Sequence, residues 1–279
     1  MRLFDVHTHV QFAAFKEDGE AVIRRALDNN VWLINVGTQQ NTSAQAIEIA
    51  DQYPEGVHAA VGLHPIHTEK SYHDVEELGA SPPTGGGFSS RREEFNYDFY
   101  KKLAESPKVV AIGECGLDYY HLTEETRKKQ KEVLEKQIAL ASEVKKPLMI
   151  HCRHAFGDLI EILTFNFKLL NSPPGIIHFF SGTQKDAKKL LDLGFSFSFG
   201  GVLTFTGDYD EVVRYIAPDR ILLETDAPYV APVPYRGKRN EPSYVMEVAK
   251  RMSELKNLSL EEIADITFRS AERIFLKKS

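Results

Sequence analysis

The sequence predicts an α/β protein folded as one closed (β/α)8 barrel. Three observations carry that prediction. Eight short apolar runs of strand length recur along the chain. Longer segments with a helical pattern lie between them. The 279 residues fit one barrel of about 250 residues with insertions. Strands that alternate with helices pair in parallel through right-handed crossovers. An open doubly wound sheet is the alternative, but no Gly-rich phosphate fingerprint follows any early strand.

In chain order, the first strand is "LFDVH" from Leu3, followed by the helical "EAVIRRALDNN" from Glu20. The second is "VWLINVG" from Val31, and the helix "NTSAQAIEIADQY" follows with Asn41 as its expected N-cap. "VHAAVGLH" from Val57 and "VVAIGE" from Val109 are the third and fourth. The long charged helix "TEETRKKQKEVLEKQIALASEV" starts at Thr123, a second expected N-cap. Glu124 and Glu125 stand in its first turn, where carboxylates suit the helix dipole. "PLMIH" from Pro147, "GIIHFFS" from Gly175, "GFSFSFG" from Gly194 and "RILLETD" from Arg220 complete the eight. "LSLEEIADITFRSAERIFLKKS" from Leu258 predicts a closing amphipathic helix on the outer ring, with Ser259, Glu261 and Glu262 at its start.

One stretch breaks the rhythm. "HDVEELGASPPTGGGFSSRREEF", from His73 to Phe95, holds two prolines, three consecutive glycines and paired charges. It predicts a surface excursion with a flexible centre, read first as a solvated loop and second as a substrate-covering lid. No linker divides the chain, so residues 1–279 read as one domain. Hydrophobic content of 42% and charged content of 27% suit a globular protein. There is no apolar run of about 18 residues, so no membrane span is expected. "MRLFDVHTHV" lacks the apolar core and cleavage site of a signal peptide. The two cysteines, Cys115 and Cys152, make no disulfide framework, and the expected compartment is the reducing cytoplasm. A net charge of −6 argues against tight, static binding of nucleic acid. It leaves room for an enzyme that meets phosphates briefly. No obligate protein partner is indicated.

The active site of such a barrel lies at the C-terminal ends of its strands. Polar residues collect there. His7 and His9, two apart and therefore on one face, end the first strand. His64 ends the third, Glu114 the fourth and His151 the fifth, and His178 lies on the sixth. Glu224 and Asp226 end the eighth, while the second and seventh end in glycine-containing turns. Buried imidazoles and carboxylates are costly unless they are paired or bound to a cation. So many at one end of one barrel call for metal. They exceed the needs of one tetrahedral ion and suit two divalent ions, Mg, Mn or Zn. His7, His9 and Asp226 are expected to hold one, His151 and His178 the other, with Glu114 as the bridge.

The set "DVHTH", "GLHP", "GECGLDYY", "IHCRHA", "IHFFSG" and "LLETDAPYVAP", in this order, resembles the TatD-type metal-dependent deoxyribonucleases of the amidohydrolase superfamily. The resemblance runs from Asp5 to the "YRGKRNEP" stretch. It implies a (β/α)8 barrel with a divalent metal centre and hydrolysis of phosphodiester bonds, often as a 3′ to 5′ exonuclease. It implies the ligands His7, His9, Glu114, His151, His178 and Asp226. DNA, or RNA, would be the transient substrate. Two departures stand out. The 73–95 insertion is longer than the family pattern, and His154 occupies a position that is usually acidic.

Metal ions that activate a water and clamp phosphate oxygens would support in-line displacement. The expected catalytic residues are Asp226 as ligand and proton acceptor, Glu114 as bridge and Glu224 as proton shuttle. A role for Glu224 in orienting a ligand histidine is the competing reading. His64 and Arg153 are expected to grip the phosphate. Arg236, Lys238 and Arg239 are either backbone contacts or solvated charges. Cys115 and Cys152, and Phe179, Phe180, Phe195, Phe197 and Phe199, read as packing residues. His58, His67, His73 and His121 receive no role. The alternative function is hydrolysis of a small amide, ester or lactone. Many such relatives bridge their metals with a carboxylated lysine, and "VVAIGE" has none.

Overall fold

The computed structural model describes residues 1–69, 72–73, 88–89, 92–120 and 123–276. Eight strands form the barrel: β1 (Leu3–Thr8), β2 (Val31–Val36), β3 (Val57–Val61), β4 (Val109–Asp118), β5 (Leu148–Arg153), β6 (Gly175–Ile177), β7 (Ser196–Phe199) and β8 (Ile221–Leu223). All neighbours run parallel, and β1 pairs with both β2 and β8, which closes the ring. The helices are α1 (Gly19–Asp28), α2 (Gln40–Ala50), α3 (Tyr97–Ala104), α4 (Glu124–Val144), α5 (Phe156–Phe165), α6 (Gln184–Asp192), α7 (Asp210–Tyr215), α8 (Val245–Lys256) and α9 (Leu260–Ala271).

Two apolar layers follow from strand alternation. Leu33, Val61, Ile150, Ile177 and Leu223 face outward and pack with helix residues such as Val22, Ile138, Leu159 and Val248. Phe4, Val6, Ile34, Val36, Met149, Ile176 and Leu222 face inward. The inner layer also contains Phe268, Ala271, Ile274 and Phe275, so the C-terminal segment closes the N-terminal pole of the barrel. That revises the expectation for the last helix. Ile263 and Ala264 serve the outer layer, but Phe268 and Ala271 serve the inner one. Burying each such large side chain contributes about 1.5–3 kcal/mol.

The local starts of the helices are mostly as their residues dictate. Thr123 accepts the N–H of Thr126 at 3.3 Å. Ser259 and Glu262 form a reciprocal capping box. Asn41 is the exception: α2 begins before it, and Gln39 is the residue at the cap. Thr42 Oγ1 accepts the N–H of Thr38 and of Gln39, and the Glu93 carboxylate accepts the N–H of Gln40 at 3.2 Å. An acid from a distant segment thus occupies the positive end of α2.

Glu93 and Phe95 belong to the expected 73–95 excursion, and Phe95 stacks on Tyr100 with centroids 4.8 Å apart. Where the excursion begins, Tyr72–His73 pairs antiparallel with Phe88–Ser89. Most of it, including its glycine-rich centre and the lid expectation placed there, lies outside the described residues, as does His121. No helix among the described residues is long and apolar enough to cross a membrane.

Candidate metal centre

Two irregularities in register bring the ligand residues to the C-terminal pole. Phe4 and Val6 face the barrel interior, yet His7 and His9 have the opposite parity. The β1–β2 register shifts between Asp5 and Thr8, which turns the two histidines inward. A second shift, between Ile112 and Cys115, does the same for Glu114 on β4. β5 needs no such device, because Met149, His151 and Arg153 already alternate with the outward Ile150 and Cys152. Asp5 braces the seam: its carboxylate accepts the Thr225 hydroxyl at 2.5 Å, the Thr225 N–H at 2.9 Å and the His7 N–H at 3.3 Å.

Glu114 stands at the centre. Its Oε2 lies 3.3 Å from His7 Nε2 and 3.8 Å from His9 Nε2. Its Oε1 lies 2.8 Å from His178 Nε2, 3.1 Å from His151 Nδ1 and 3.2 Å from His64 Nε2. Asp226 Oδ1 completes the first side, 3.4 Å from His9 Nε2 and 3.7 Å from His7 Nε2. The structure therefore brings together all six residues expected as ligands, and the two oxygens of one carboxylate face two separate groups of imidazoles.

Supports behind the ring decide which nitrogen faces the centre. His9 Nδ1 donates to the Val36 carbonyl at 2.7 Å, leaving the Nε2 lone pair for the centre. His151 Nε2 donates to Asp118 Oδ2 at 3.0 Å, leaving Nδ1. His64 is different. Its Nδ1 accepts the Ile66 N–H at 3.2 Å, so its neutral ring carries the proton on Nε2 and presents a donor.

The charges are coupled. Burial pushes the Glu114 carboxyl up, but His64, His178 and His7 outweigh it and hold it well below the usual range. Burial likewise opposes protonation of His178, His9 and His151, yet Glu114, Asp226 and Asp118 respectively raise them. Burial and the neighbouring His178 lower His7. Burial takes His64 down to about 4. Rings of His7 and His178 stack at 3.8 Å, and His7 Nε2 meets His9 Nε2 at 3.1 Å. Imidazole nitrogens in such contact need a proton or a cation between them. Lone pairs directed inward, supported tautomers and a dividing carboxylate fit divalent cations.

Glu224 differs from the shuttle expectation. It is fully buried and does not line the cavity. It accepts the Ser198 hydroxyl at 2.5 Å and the Phe179 N–H at 2.7 Å, with Oε2 3.7 Å from His178 Nδ1. Lacking an oxygen open to solvent, it backs His178. Arg239 is tied to Asp18 by two hydrogen bonds, of 2.6 and 2.9 Å, and Arg236 lies over Phe205. Cys115 and Cys152 are buried, and burial pushes both thiols up. Phe180, Phe195, Phe197 and Phe199 are core residues, whereas Phe179 lines the cavity.

Sequence reading missed three participants. The apolar run "VVAIGE" stops at Glu114, whereas β4 continues to Asp118, and the even spacing of Asp118 from Glu114 in "GECGLD" is the sequence signal for it. Ser198 lies on a strand with no obvious ligand. His67 is buried beside His64, with ring centroids 5.9 Å apart. Above the centre opens a cavity of about 600 Å³ that also includes Arg153. His154, Phe179, Asp226 and Val230 adjoin it with left-handed backbones, at φ 56°, 44°, 54° and 48°. Such conformations cost about 1–3 kcal/mol each and collect at functional sites.

Residues 4–276 match the family described as TatD related DNase. The chain belongs to that family. A metal-dependent hydrolase from Bacillus subtilis strain 168, YabD, is 39% identical over 276 residues, 98% of each chain. The 3′-5′ ssDNA/RNA exonuclease TatD of Erwinia tasmaniensis is 30% identical over 281 residues, 98% of this chain and 99% of its own. The crystal structure of YjjV, a TatD homologue from Escherichia coli K12, superposes with a TM-score of 0.83 at 26% identity, covering 99% of both chains. This TatD-family chain is a metal-dependent hydrolase.

Proposed function

We propose that this TatD-family hydrolase cleaves phosphodiester bonds and removes nucleotides from the 3′ end of DNA, with RNA as a second substrate. The observation that carries the reading is the division of Glu114 between two imidazole groups, which suits a pair of divalent ions (Mg, Mn or Zn) flanking one phosphate. The relative named 3′-5′ ssDNA/RNA exonuclease supports the polymer substrate.

Bound ions of this kind supply Lewis acidity and make a water more acidic. The chain does the rest. His7, His9 and Asp226 would hold one ion, His151 and His178 the other, and Glu114 would serve both. Asp226 keeps a partly exposed carboxylate, with 19% of its side chain accessible, and receives the proton of the attacking water. His64 presents its Nε2–H as a donor to a phosphate oxygen. Arg153 meets phosphate at the rim with its fork of donors. Glu224 fixes the ring of His178.

The test strips the protein with chelator, reloads it with Mg, Mn or Zn, and offers single-stranded DNA, RNA and a panel of small esters, lactones and amides. Metal-dependent nucleotide release is the expected result, lost in Glu114→Ala and Asp226→Ala while circular dichroism keeps the fold. Turnover of the carbonyl panel alone would overturn the proposal in favour of a small-molecule hydrolase. Retention of DNA without turnover under every metal would overturn it in favour of a binding protein.

A further inference from the structure

The rim shows which phosphate Arg153 meets. Arg153 leaves β5 on the same face as His151, two residues earlier. A strand rises ~3.3 Å per residue, which puts their Cα atoms ~6.6 Å apart along the strand. That step is comparable to the spacing of neighbouring phosphates along a polynucleotide. A phosphate held at His151 and its partners therefore leaves Arg153 facing the next one.

Arg153 is positioned for that task. Its guanidinium sits 3.8 Å from the centroid of the Tyr120 ring, a cation–π contact that limits the freedom of a long side chain. Tyr120 is held in turn, because Asp118 Oδ1 accepts its N–H at 2.9 Å. The Arg153 carbonyl accepts the N–H of Tyr119 at 2.9 Å. His154 adds a second ring, 6.1 Å from that of Tyr120 and inclined by 24°. Both Arg153 and His154 are exposed. Among the described residues, no carboxylate lies within ion-pair distance of Arg153. Asp118, its register partner across the β4–β5 ladder, is committed to His151 and Tyr120. The guanidinium fork keeps donors for a ligand. His154 adds no negative charge beside the arginine, in a chain whose net charge is −6.

We infer that Arg153, seated on Tyr120 and flanked by His154, forms a second phosphate position beside the hydrolysed one, so that the enzyme selects oligonucleotides with a phosphate adjacent to the scissile diester. The inference rests on the phosphodiesterase reading.

Three probes test it on the metal-loaded enzyme: dTpdT, pdTpdT and dTpdTp. Wild type is expected to cleave one phosphorylated dinucleotide with kcat/KM at least ~10-fold above that for dTpdT. In Arg153→Gln that ratio falls to near one, mainly through KM, and the salt slope of KM shrinks by about one. Arg153→Lys keeps part of the ratio, and Tyr120→Leu and His154→Asp each lower it several-fold. A wild-type ratio under about two, or a ratio retained in Arg153→Gln, overturns the inference. If no probe is cleaved under any metal, the phosphodiesterase reading fails by itself. Titration calorimetry of pdTpdT, dTpdTp and dTpdT against wild type and Arg153→Gln then decides the subsite, and equal affinities overturn it.

Discussion

The two poles of the barrel are built from the same eight strands, yet they obey different rules. At the N-terminal pole, Phe4, Ile34 and Leu222 meet Phe268, Ile274 and Phe275 in an apolar plug. One register shift, at Val110 of β4, puts both Val110 and Ala111 in that layer, and apolar packing holds it together. At the C-terminal pole, two register shifts and four left-handed residues accompany a buried cluster of imidazoles and carboxylates. One pole is paid for by the hydrophobic effect, and the other spends stability to hold chemistry. Changes at one pole should therefore move stability, and changes at the other should move activity.

The largest separation is expected at Glu114. Glu114→Gln should lower kcat/KM by ~10³-fold or more, since it removes the group shared by both sets of imidazoles. Metal content by elemental analysis should fall with it, while the unfolding midpoint of the metal-stripped protein changes little. Loss of fold in this variant would break the comparison. Phe268→Ala is the mirror experiment. Its ring lies 5.8 Å from Phe4 and 5.2 Å from Trp32. Its removal should cost about 3–4 kcal/mol in urea unfolding and leave kcat/KM of the folded fraction unaltered. A fall in kcat/KM would show that the poles are coupled.

Asp118→Asn sharpens the comparison within the metal centre. It removes the carboxylate that keeps the proton on His151 Nε2, and metal affinity should weaken ~10–100-fold. Fluorescence competition for metal would read this directly, with far-ultraviolet circular dichroism unchanged.

The smallest effect is expected at His58, an ionisable residue at the apolar pole, near Phe4 and Trp32. Burial lowers it to about 4. A histidine with a depressed folded pKa is neutral in the fold, so its contribution is intact above the unfolded value near 6.5. It is lost as pH falls from there toward 4. Wild type should lose ~2 kcal/mol more than His58→Leu across that window, measured as the difference in urea midpoints between the two proteins. Parallel pH curves would show that burial does not suppress the charge.

Much of this molecule was legible in one dimension. Strand positions follow from short apolar runs, because only a barrel or sheet buries them on both faces. The caps at Thr123 and Ser259 depend on residues within one turn, and they are as their sequence dictates. The convergence of His7, His9, Glu114, His151, His178 and Asp226 could be inferred because closure places all strand ends on one rim. Tertiary structure alone decided what depends on partners far apart in the chain. Glu93 displaced Asn41 from the start of α2 because it arrives from 53 residues away. Asp118 became a support because β4 continues past Glu114 and pairs with β5. Glu224 turned from the cavity because Ser198 and the Phe179 N–H claim its oxygens. Period and composition report which side chains are apolar or polar. Which oxygen, which ring nitrogen and which register shift serve the centre are contests among groups that meet only when the barrel closes.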